Sequence, residues 1–214
     1  MAEARTREVP PLHLVTDDGV LARPDFPQRA DEVLRAGGCR VALHLRGPRT
    51  GGRRLYGLAA ELAPVARGCG ALLLVNDRVD VALAAGADGV QLGRRGIRAM
   101  DARVLLGPGR VIGSSVGALE EGRHAVDGSD FLLVGSVYPT PSHPGREGIG
   151  PAGLRMLVGL GIPVVGIGGV VPERVAEVGR AGARGVAVLR GVWGAADAVG
   201  AVLRYLQAWK DADA

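Results

Sequence analysis

Aromatic side chains, lysine and cysteine are all scarce in this chain of 214 residues. Aromatic residues make up only 3% of it, which removes the stacking platforms on which single-strand nucleic-acid binders depend. Lys210 is the only lysine among 26 basic residues, so the other 25 are arginine. Cys39 and Cys69 are far apart in the sequence and form no CxxC metal or redox motif. We expect both to be buried free thiols.

Long hydrophobic runs are also absent. No uninterrupted apolar stretch reaches the roughly 18–20 residues of a membrane span, and the first ten residues, MAEARTREVP, lack a signal-peptide core. We therefore expect a soluble, cytoplasmic protein with no membrane partner. The net charge of +4 is mild, and acidic residues are interspersed with basic ones. This pattern favours a small phosphorylated ligand over nucleic acid.

Glycine is abundant, with 35 residues. These glycines follow no Gly-X-Y period, which excludes collagen; they punctuate apolar runs, as tight turns between strands and helices would. The chain is 47% hydrophobic and 22% charged, values that exclude a disordered protein.

Eight short apolar runs alternate with Ala-, Leu- and Arg-rich stretches of helical spacing. They cover residues 12–16, 40–46, 71–76, 89–93, 110–116, 130–138, 163–169 and 185–191. Eight strands alternating with helices predict an α/β fold, a single-domain (β/α)8 TIM barrel. A doubly wound open sheet is the alternative, but it normally has fewer strands. The barrel is expected over 12–209, with a flexible N-terminus over 1–11 and a flexible tail over 210–214.

Catalytic groups of such a barrel lie where strands end and loops begin. On the second strand, His44 and Arg46 share one face, and its apolar face suits the surrounding helices, so both should enter the barrel mouth. After the third strand, Asn76 and Asp77 either cap the next helix or hold a hydroxyl or a hydrated magnesium ion.

Later strand ends are rich in glycine, proline and hydroxyl groups. The sixth strand leads into a proline-stiffened loop that carries Thr140, Ser142 and His143. Gly168-Gly169 and Arg190-Gly191 follow the seventh and eighth strands, which is where a phosphate usually binds in this fold.

Together, these strand ends resemble the thiamine phosphate synthase family and its sister branch, the thiazole tautomerases (TenI-like proteins). The resemblance is carried by LHLVTD, NDRVDVALAAGADGVQLG, IGSSV, VYPTPSHPG, IPVVGIGGV and AGARGVAVLRGVW, from about residue 12 to about residue 204. It implies the same barrel and a thiazole phosphate site. A synthase joins hydroxymethylpyrimidine diphosphate to the thiazole phosphate nitrogen with the help of magnesium and releases pyrophosphate. A tautomerase aromatises a thiazole phosphate carboxylate without magnesium.

The matched motifs imply roles for individual residues. Arg46 and Asn76 correspond to the diphosphate-facing pair, with His44 where glutamine is usual, and Asp77 corresponds to a magnesium ligand. Ser115 matches a serine that contacts the pyrophosphate end.

The remaining matches concern phosphate binding. Thr140, Ser142 and His143 occupy positions that grip the thiazole phosphate or the pyrophosphate, and Gly169 with the Arg190-Gly191-Val192 turn matches the thiazole phosphate pocket. A serine usual in that turn is Arg190 here, which favours anion binding or fills the pocket.

Two departures from the family pattern bear on the reaction. A second acidic magnesium ligand is missing from the run Gly93-Arg94-Arg95-Gly96, which leaves Arg94 or Arg49 to neutralise a diphosphate. The proton-transfer histidine of the tautomerases falls at Ser136, where His44 or His143 would have to substitute.

Three hypotheses follow. The first is a tautomerase-like enzyme of thiamine biosynthesis that acts on a thiazole phosphate and requires no cofactor. The second is a thiamine phosphate synthase, which would use Mg²⁺ and also bind hydroxymethylpyrimidine diphosphate. The third is a non-catalytic phosphate-ligand binding protein. A homo-oligomer is compatible with each of them.

Overall fold

Eight parallel strands close into a barrel, in which each strand pairs with the next along the chain and the last pairs with the first. The computed structural model describes residues 8–141, 145 and 147–212. The strands are β1 (Leu12–Val15), β2 (Val41–Leu45), β3 (Leu72–Asn76), β4 (Gly89–Leu92), β5 (Val111–Val116), β6 (Phe131–Gly135), β7 (Val164–Ile167) and β8 (Gly185–Val188). This arrangement confirms the predicted (β/α)8 barrel.

Helices lie between the strands and surround them. They are α1 (Asp18–Leu21), α2 (Phe26–Gly37), α3 (Gly52–Cys69), α4 (Val79–Ala85), α5 (Ala99–Leu106), α6 (Leu119–Ala125), α7 (Gly150–Val158), α8 (Pro172–Arg180), α9 (Arg190–Trp193) and α10 (Ala198–Ala212). Pro172 stands at the start of α8, where its missing N–H would have no helical partner. In the part of the chain that the structure describes, no helix is both long and apolar enough to cross a membrane.

Apolar side chains form two buried layers, because successive residues of a strand point to opposite sides of the sheet. Outward-facing residues of the strands pack against the helices in one large cluster. Inward-facing residues fill the barrel with a second cluster: Val9, Val15, Ala42, Leu72, Leu74, Val111, Phe131, Leu133, Val165 and Ala187. These side chains fill the barrel interior, and a ligand site is expected at the carboxyl ends of the strands.

Some residues that the sequence assigns to flexible ends belong to the ordered fold. Val9 is buried in the inner cluster, and the carbonyl of Pro11 accepts the N–H of Val186 at 2.9 Å. Residues 9–11 are therefore part of the barrel rather than of a loose N-terminus. At the other end, α10 continues to Ala212, so Lys210 and its neighbours are helical and do not form a tail.

The two cysteines differ from the expectation of buried thiols. Cys39 lies in the short 3-10 helix Gly38–Arg40 and is exposed, and Cys69 at the end of α3 is half-buried. Both stand just before a strand, at the end of the barrel opposite the mouth.

Candidate active site

Arg46 follows β2 directly and has its backbone fixed by the end of β1. The hydroxyl of Thr16 accepts the N–H of Arg46 at 2.8 Å and lies 2.9 Å from the Arg46 carbonyl. The side chain of Arg46 is exposed and has no hydrogen bond or ion pair with any other described residue. A guanidinium in this setting is available for an anion at the barrel mouth.

Asp77 adopts a left-handed backbone conformation, with φ of 57°, directly after Asn76 at the end of β3. Its N–H donates to the Gln91 carbonyl at 3.0 Å, which fixes the turn against β4. Its Oδ1 accepts the N–H of Gly93 at 2.6 Å. The carboxylate therefore lies against the loop that follows β4, beside the mouth.

Asn76 and Gln91 are paired neighbours on β3 and β4. The Gln91 amide donates to Ser115 Oγ at 3.0 Å, and so links three strand ends, β3, β4 and β5. Asn76 Oδ1 is buried and has no partner among the described residues, which leaves an acceptor for a bound molecule or water. Sequence reasoning missed Gln91, although alternation with Gly89 and Gly93 places it on the inner face of β4.

The loops after β6, β7 and β8 form the other half of the mouth. The N–H of Tyr138 donates to the Gly168 carbonyl at 3.0 Å, and Arg190 donates to Thr140 Oγ1 at 3.2 Å. Gly168 has a φ of 99°, and a Cβ there would lie 2.7 Å from Ser136 Cβ. Only glycine allows this close packing, so the two loops hold each other.

Arg174 of α8 joins these loops from outside. Its guanidinium donates to the Gly169 carbonyl at 3.0 Å and lies 4.4 Å from the centre of the Tyr138 ring. The Tyr138 hydroxyl donates to Glu177 at 2.6 Å. Burial and this carboxylate raise the pKa of Tyr138 to about 12, which keeps the phenol a neutral donor at neutral pH.

The turn after β8 is held by a buried tyrosine of α10. The Tyr205 hydroxyl donates to the Val170 carbonyl at 3.1 Å, and a Cβ on Gly191 would collide with that hydroxyl. Arg190 and Gly191 therefore stand next to the loop that follows β7, as the sequence predicts for a phosphate pocket. Ser142 and His143 lie outside the described residues.

His44 is not exposed at the mouth, where the sequence predicts it, and its acid–base role stays a prediction. The alternation correctly places it inside the barrel, but it is fully buried, one inner position below Arg46. Its Nε2 lies 2.8 Å from Nδ1 of His13, another buried histidine that sequence reasoning missed. Burial, aided by His13, holds the pKa of His44 well below its usual 6.5.

Ser136 and Ser115 are half-buried at the ends of β6 and β5. The Ser136 carbonyl accepts the N–H of Ile149 at 2.9 Å, which places α7 behind it. No histidine among the described residues lies at this strand end. The described residues therefore offer no imidazole to a ligand in the mouth.

The donors at the mouth do not make a protein-held magnesium site. Asp77 is the carboxylate that the resemblance implies as a magnesium ligand. A Cβ on Gly96 would stand 2.9 Å from Asp77 Oδ1, so the position that faces this carboxylate carries no side chain. The described residues contain no group of three or more His, Cys, Asp or Glu placed to hold a metal ion. Magnesium normally needs octahedral oxygen ligands, of which this loop provides one side chain.

Known proteins are similar to this chain in sequence and in fold. A family model described as thiamine monophosphate synthase matches residues 12–192. A thiamine-phosphate synthase of Moorella thermoacetica is 44% identical over 173 residues, covering 79% of this chain and 81% of the relative. A thiamine-phosphate synthase of Desulfitobacterium hafniense is 34% identical over 203 residues, covering 94% of this chain and 97% of the relative.

A solved structure agrees with these relatives. The thiamine phosphate pyrophosphorylase from Pyrococcus furiosus superposes with a TM-score of 0.81 at 35% identity, covering 94% of this chain and 96% of that chain. Sequence and fold match over the same barrel, including the strand ends that form the mouth. The chain belongs to the thiamine monophosphate synthase family.

Proposed function

We propose that this protein is a thiamine phosphate synthase, which joins hydroxymethylpyrimidine diphosphate to thiazole phosphate and releases pyrophosphate. The observation that supports the proposal is that polar and basic side chains stand in both halves of the mouth. Arg46, Asn76 and Ser115 lie on the β2–β5 side, and Thr140 with Arg190 lies on the β6–β8 side. Two halves suit a reaction of two phosphorylated substrates.

The chemistry of this coupling matches the groups that are present. The bond between the pyrimidine methylene carbon and the diphosphate oxygen breaks, and its electron pair leaves with the diphosphate. The thiazole nitrogen then donates its lone pair to that carbon, so that a C–N bond forms. No proton moves at the reacting atoms, so the mouth needs anion binding and positioning rather than an acid–base group.

Individual residues then have distinct tasks. Arg46 binds the departing diphosphate and stabilises its charge, and Ser115, held by Gln91, donates to the same end. Arg190 and Thr140 hold the thiazole phosphate, and Gly168 and Gly169 pack against the loop that carries Thr140. Fixing both phosphates brings the thiazole nitrogen and the pyrimidine carbon together.

The tautomerase hypothesis, placed first from the sequence, is less favoured. Aromatisation by isomerisation requires a group that moves a proton at neutral pH, and His44 is buried with a lowered pKa. Ser136 stands where that branch carries its histidine. The relatives quoted above are also named as synthases rather than as tautomerases.

A turnover assay tests the proposal. The full chain is incubated with both substrates and magnesium, and thiamine phosphate and pyrophosphate are measured by chromatography. We expect equal amounts of the two products. Formation of no coupled product, with conversion of the unaromatised thiazole phosphate carboxylate, would instead identify a tautomerase. Binding of thiazole phosphate without either reaction would identify a binding protein.

An arginine variant assigns the first half of the mouth. Arg46→Gln is expected to raise the KM for the pyrimidine diphosphate by about tenfold, since a charged hydrogen bond to phosphate is lost, and to leave the KM for thiazole phosphate within about twofold. Arg35→Gln is the matched control, because Arg35 is paired with Asp31 in the last turn of α2 at the opposite end of the barrel. Equal changes in both KM values would contradict the assignment.

A further inference from the structure

The loop that follows β4 brings an arginine, and no second carboxylate, to the side of the mouth beside Asp77. Gly93 donates its N–H to Asp77, and Gly96 faces the same carboxylate without a side chain. Between them stand Arg94 and Arg95, both exposed. The loop thus shields the carboxylate with backbone and adds positive charge next to it.

Arg94 extends from this loop across the ends of the next two strands. Its Nη1 lies 3.2 Å from Glu121 Oε1 on α6. A Cβ added to Gly117 would lie 3.1 Å from Arg94 Nη1 and 3.3 Å from the Gly135 carbonyl oxygen. The guanidinium therefore lies at the end of β5, the strand that carries Ser115, on the side of β6.

Glu121 holds this arginine in place. Its Oε2 accepts the N–H of Gly117 at 2.6 Å, while its Oε1 pairs with Arg94. One carboxylate is thus fixed by the backbone at one oxygen and bonded to the guanidinium at the other. The Arg94 side chain remains 49% exposed, so N–H groups that do not contact Glu121 stay open to solvent at the mouth.

Arg49, the other arginine that the sequence offers for a diphosphate, is placed differently. Its side chain is 89% exposed and lies 3.5 Å from Asp18 in an ion pair. Its backbone N–H donates to the same carboxylate at 3.0 Å. Arg49 is therefore directed to the start of α1, whereas Arg94 lies at the end of β5.

We propose that Arg94, held by Glu121, directly binds the diphosphate of the pyrimidine substrate, and that this contact takes the place of a second metal-binding carboxylate. The proposal rests on the proposed synthase function and deepens it. A guanidinium offers paired N–H donors to phosphate oxygens, stays charged at all physiological pH values and is preorganised here by its carboxylate. This site therefore binds a diphosphate in the absence of a divalent cation.

Calorimetric titration of the full chain with inorganic pyrophosphate in the presence of EDTA tests the proposal. We expect the unmodified protein to bind, Arg94→Gln to weaken binding about tenfold or more, and Arg95→Gln to change it less than twofold. Arg95 is the matched control, because it is the exposed neighbour on the same loop and bonds to no other described residue. Arg94→Lys, which keeps the charge but loses the paired donors, is expected to lie between them.

Two results would overturn the proposal: pyrophosphate binding that requires magnesium in the unmodified protein, or equal affinities of the Arg94→Gln and Arg95→Gln variants. Thermal unfolding of each variant shows whether it is folded, and Arg94→Lys provides the comparison if Arg94→Gln is not. The synthase function is tested separately by product formation with magnesium. Products formed with pyrophosphate binding unaffected by Arg94→Gln refute only the role of Arg94, and loss of binding without any products refutes only the synthase function.

Discussion

Two buried histidines share a single chain of hydrogen bonds in the barrel interior. His13 Nε2 lies 3.0 Å from the Pro10 carbonyl, which can only accept, so the His13 proton is on Nε2. His13 Nδ1 then accepts, and His44 donates its Nε2–H to it at 2.8 Å. Both rings are neutral in this arrangement, and the His44 Nδ1 lone pair has no partner among the described residues.

Stability should therefore depend on pH through these two residues. Burial lowers the pKa of His13 to about 4 and that of His44 in the same direction, so the unfolded chain binds more protons between about pH 6.5 and pH 4. The contribution of these histidines to the free energy of unfolding is thus largest above pH 6.5, and it falls as the pH decreases through this window. The expected loss is about 3 kcal/mol from His13 alone, measured by urea unfolding at several pH values.

A double variant provides the control for this dependence. His13→Leu with His44→Leu removes both partners of the central hydrogen bond, so no ring is left to protonate in that window. Its free energy of unfolding is expected to stay nearly level between about pH 6.5 and pH 4.5. The same slope in both proteins would show that other groups cause the effect.

At the scale of elements, the sequence predicts all eight strands, and each predicted apolar run contains the strand observed there. Apolar alternation and the placement of glycine are local patterns, so they can be interpreted without knowing which distant residues a segment contacts in the fold. How deeply a side chain is buried depends on residues that are distant in the sequence. His44 points into the barrel as predicted, but it is fully buried below the mouth. The pairing of Arg94 with Glu121 joins residues 27 positions apart, which only the closed barrel brings together.

The turn between β8 and α9 gives a prediction at this scale. Gly191→Ala should destabilise the protein by about 1–3 kcal/mol, since the added Cβ displaces the Tyr205 hydroxyl from its buried bond to Val170. The KM for thiazole phosphate should rise with it, because the same turn forms the proposed pocket. Urea unfolding and steady-state kinetics measure the two effects.

Gly57→Ala is the matched control for the turn variant. Gly57 lies within α3, and nothing stands within 4 Å of a Cβ added there. The change should stabilise the protein by about 0.5–1 kcal/mol through helix propensity and leave the KM unchanged. If Gly191→Ala behaved like this control, the close packing of the turn would have no energetic importance.

Over the whole molecule, arginines have two different settings. Many form exposed pairs with nearby carboxylates, such as Arg23 with Asp25 at 2.7 Å and Arg98 with Asp101 at 2.9 Å, and each pair contributes little to stability. At the mouth, Arg46 and Arg190 form no ion pair within the described part of the chain. Because these two charges have no carboxylate partner, they are available to a negatively charged ligand.

This distribution predicts that salt weakens substrate binding much more than it weakens the fold. Raising sodium chloride from about 20 mM to about 500 mM shortens the screening length several-fold, so the KM for the pyrimidine diphosphate should increase several-fold. The free energy of unfolding should change by less than about 1 kcal/mol, since the exposed pairs contribute little. Steady-state kinetics and urea unfolding at the two salt concentrations provide the test, with binding of the dephosphorylated thiazole as the control. Salt could instead weaken binding of the uncharged thiazole as much as it raises the KM for the diphosphate. In that case the arginines of the mouth would not cause the salt dependence, and short-range contacts would account for recognition.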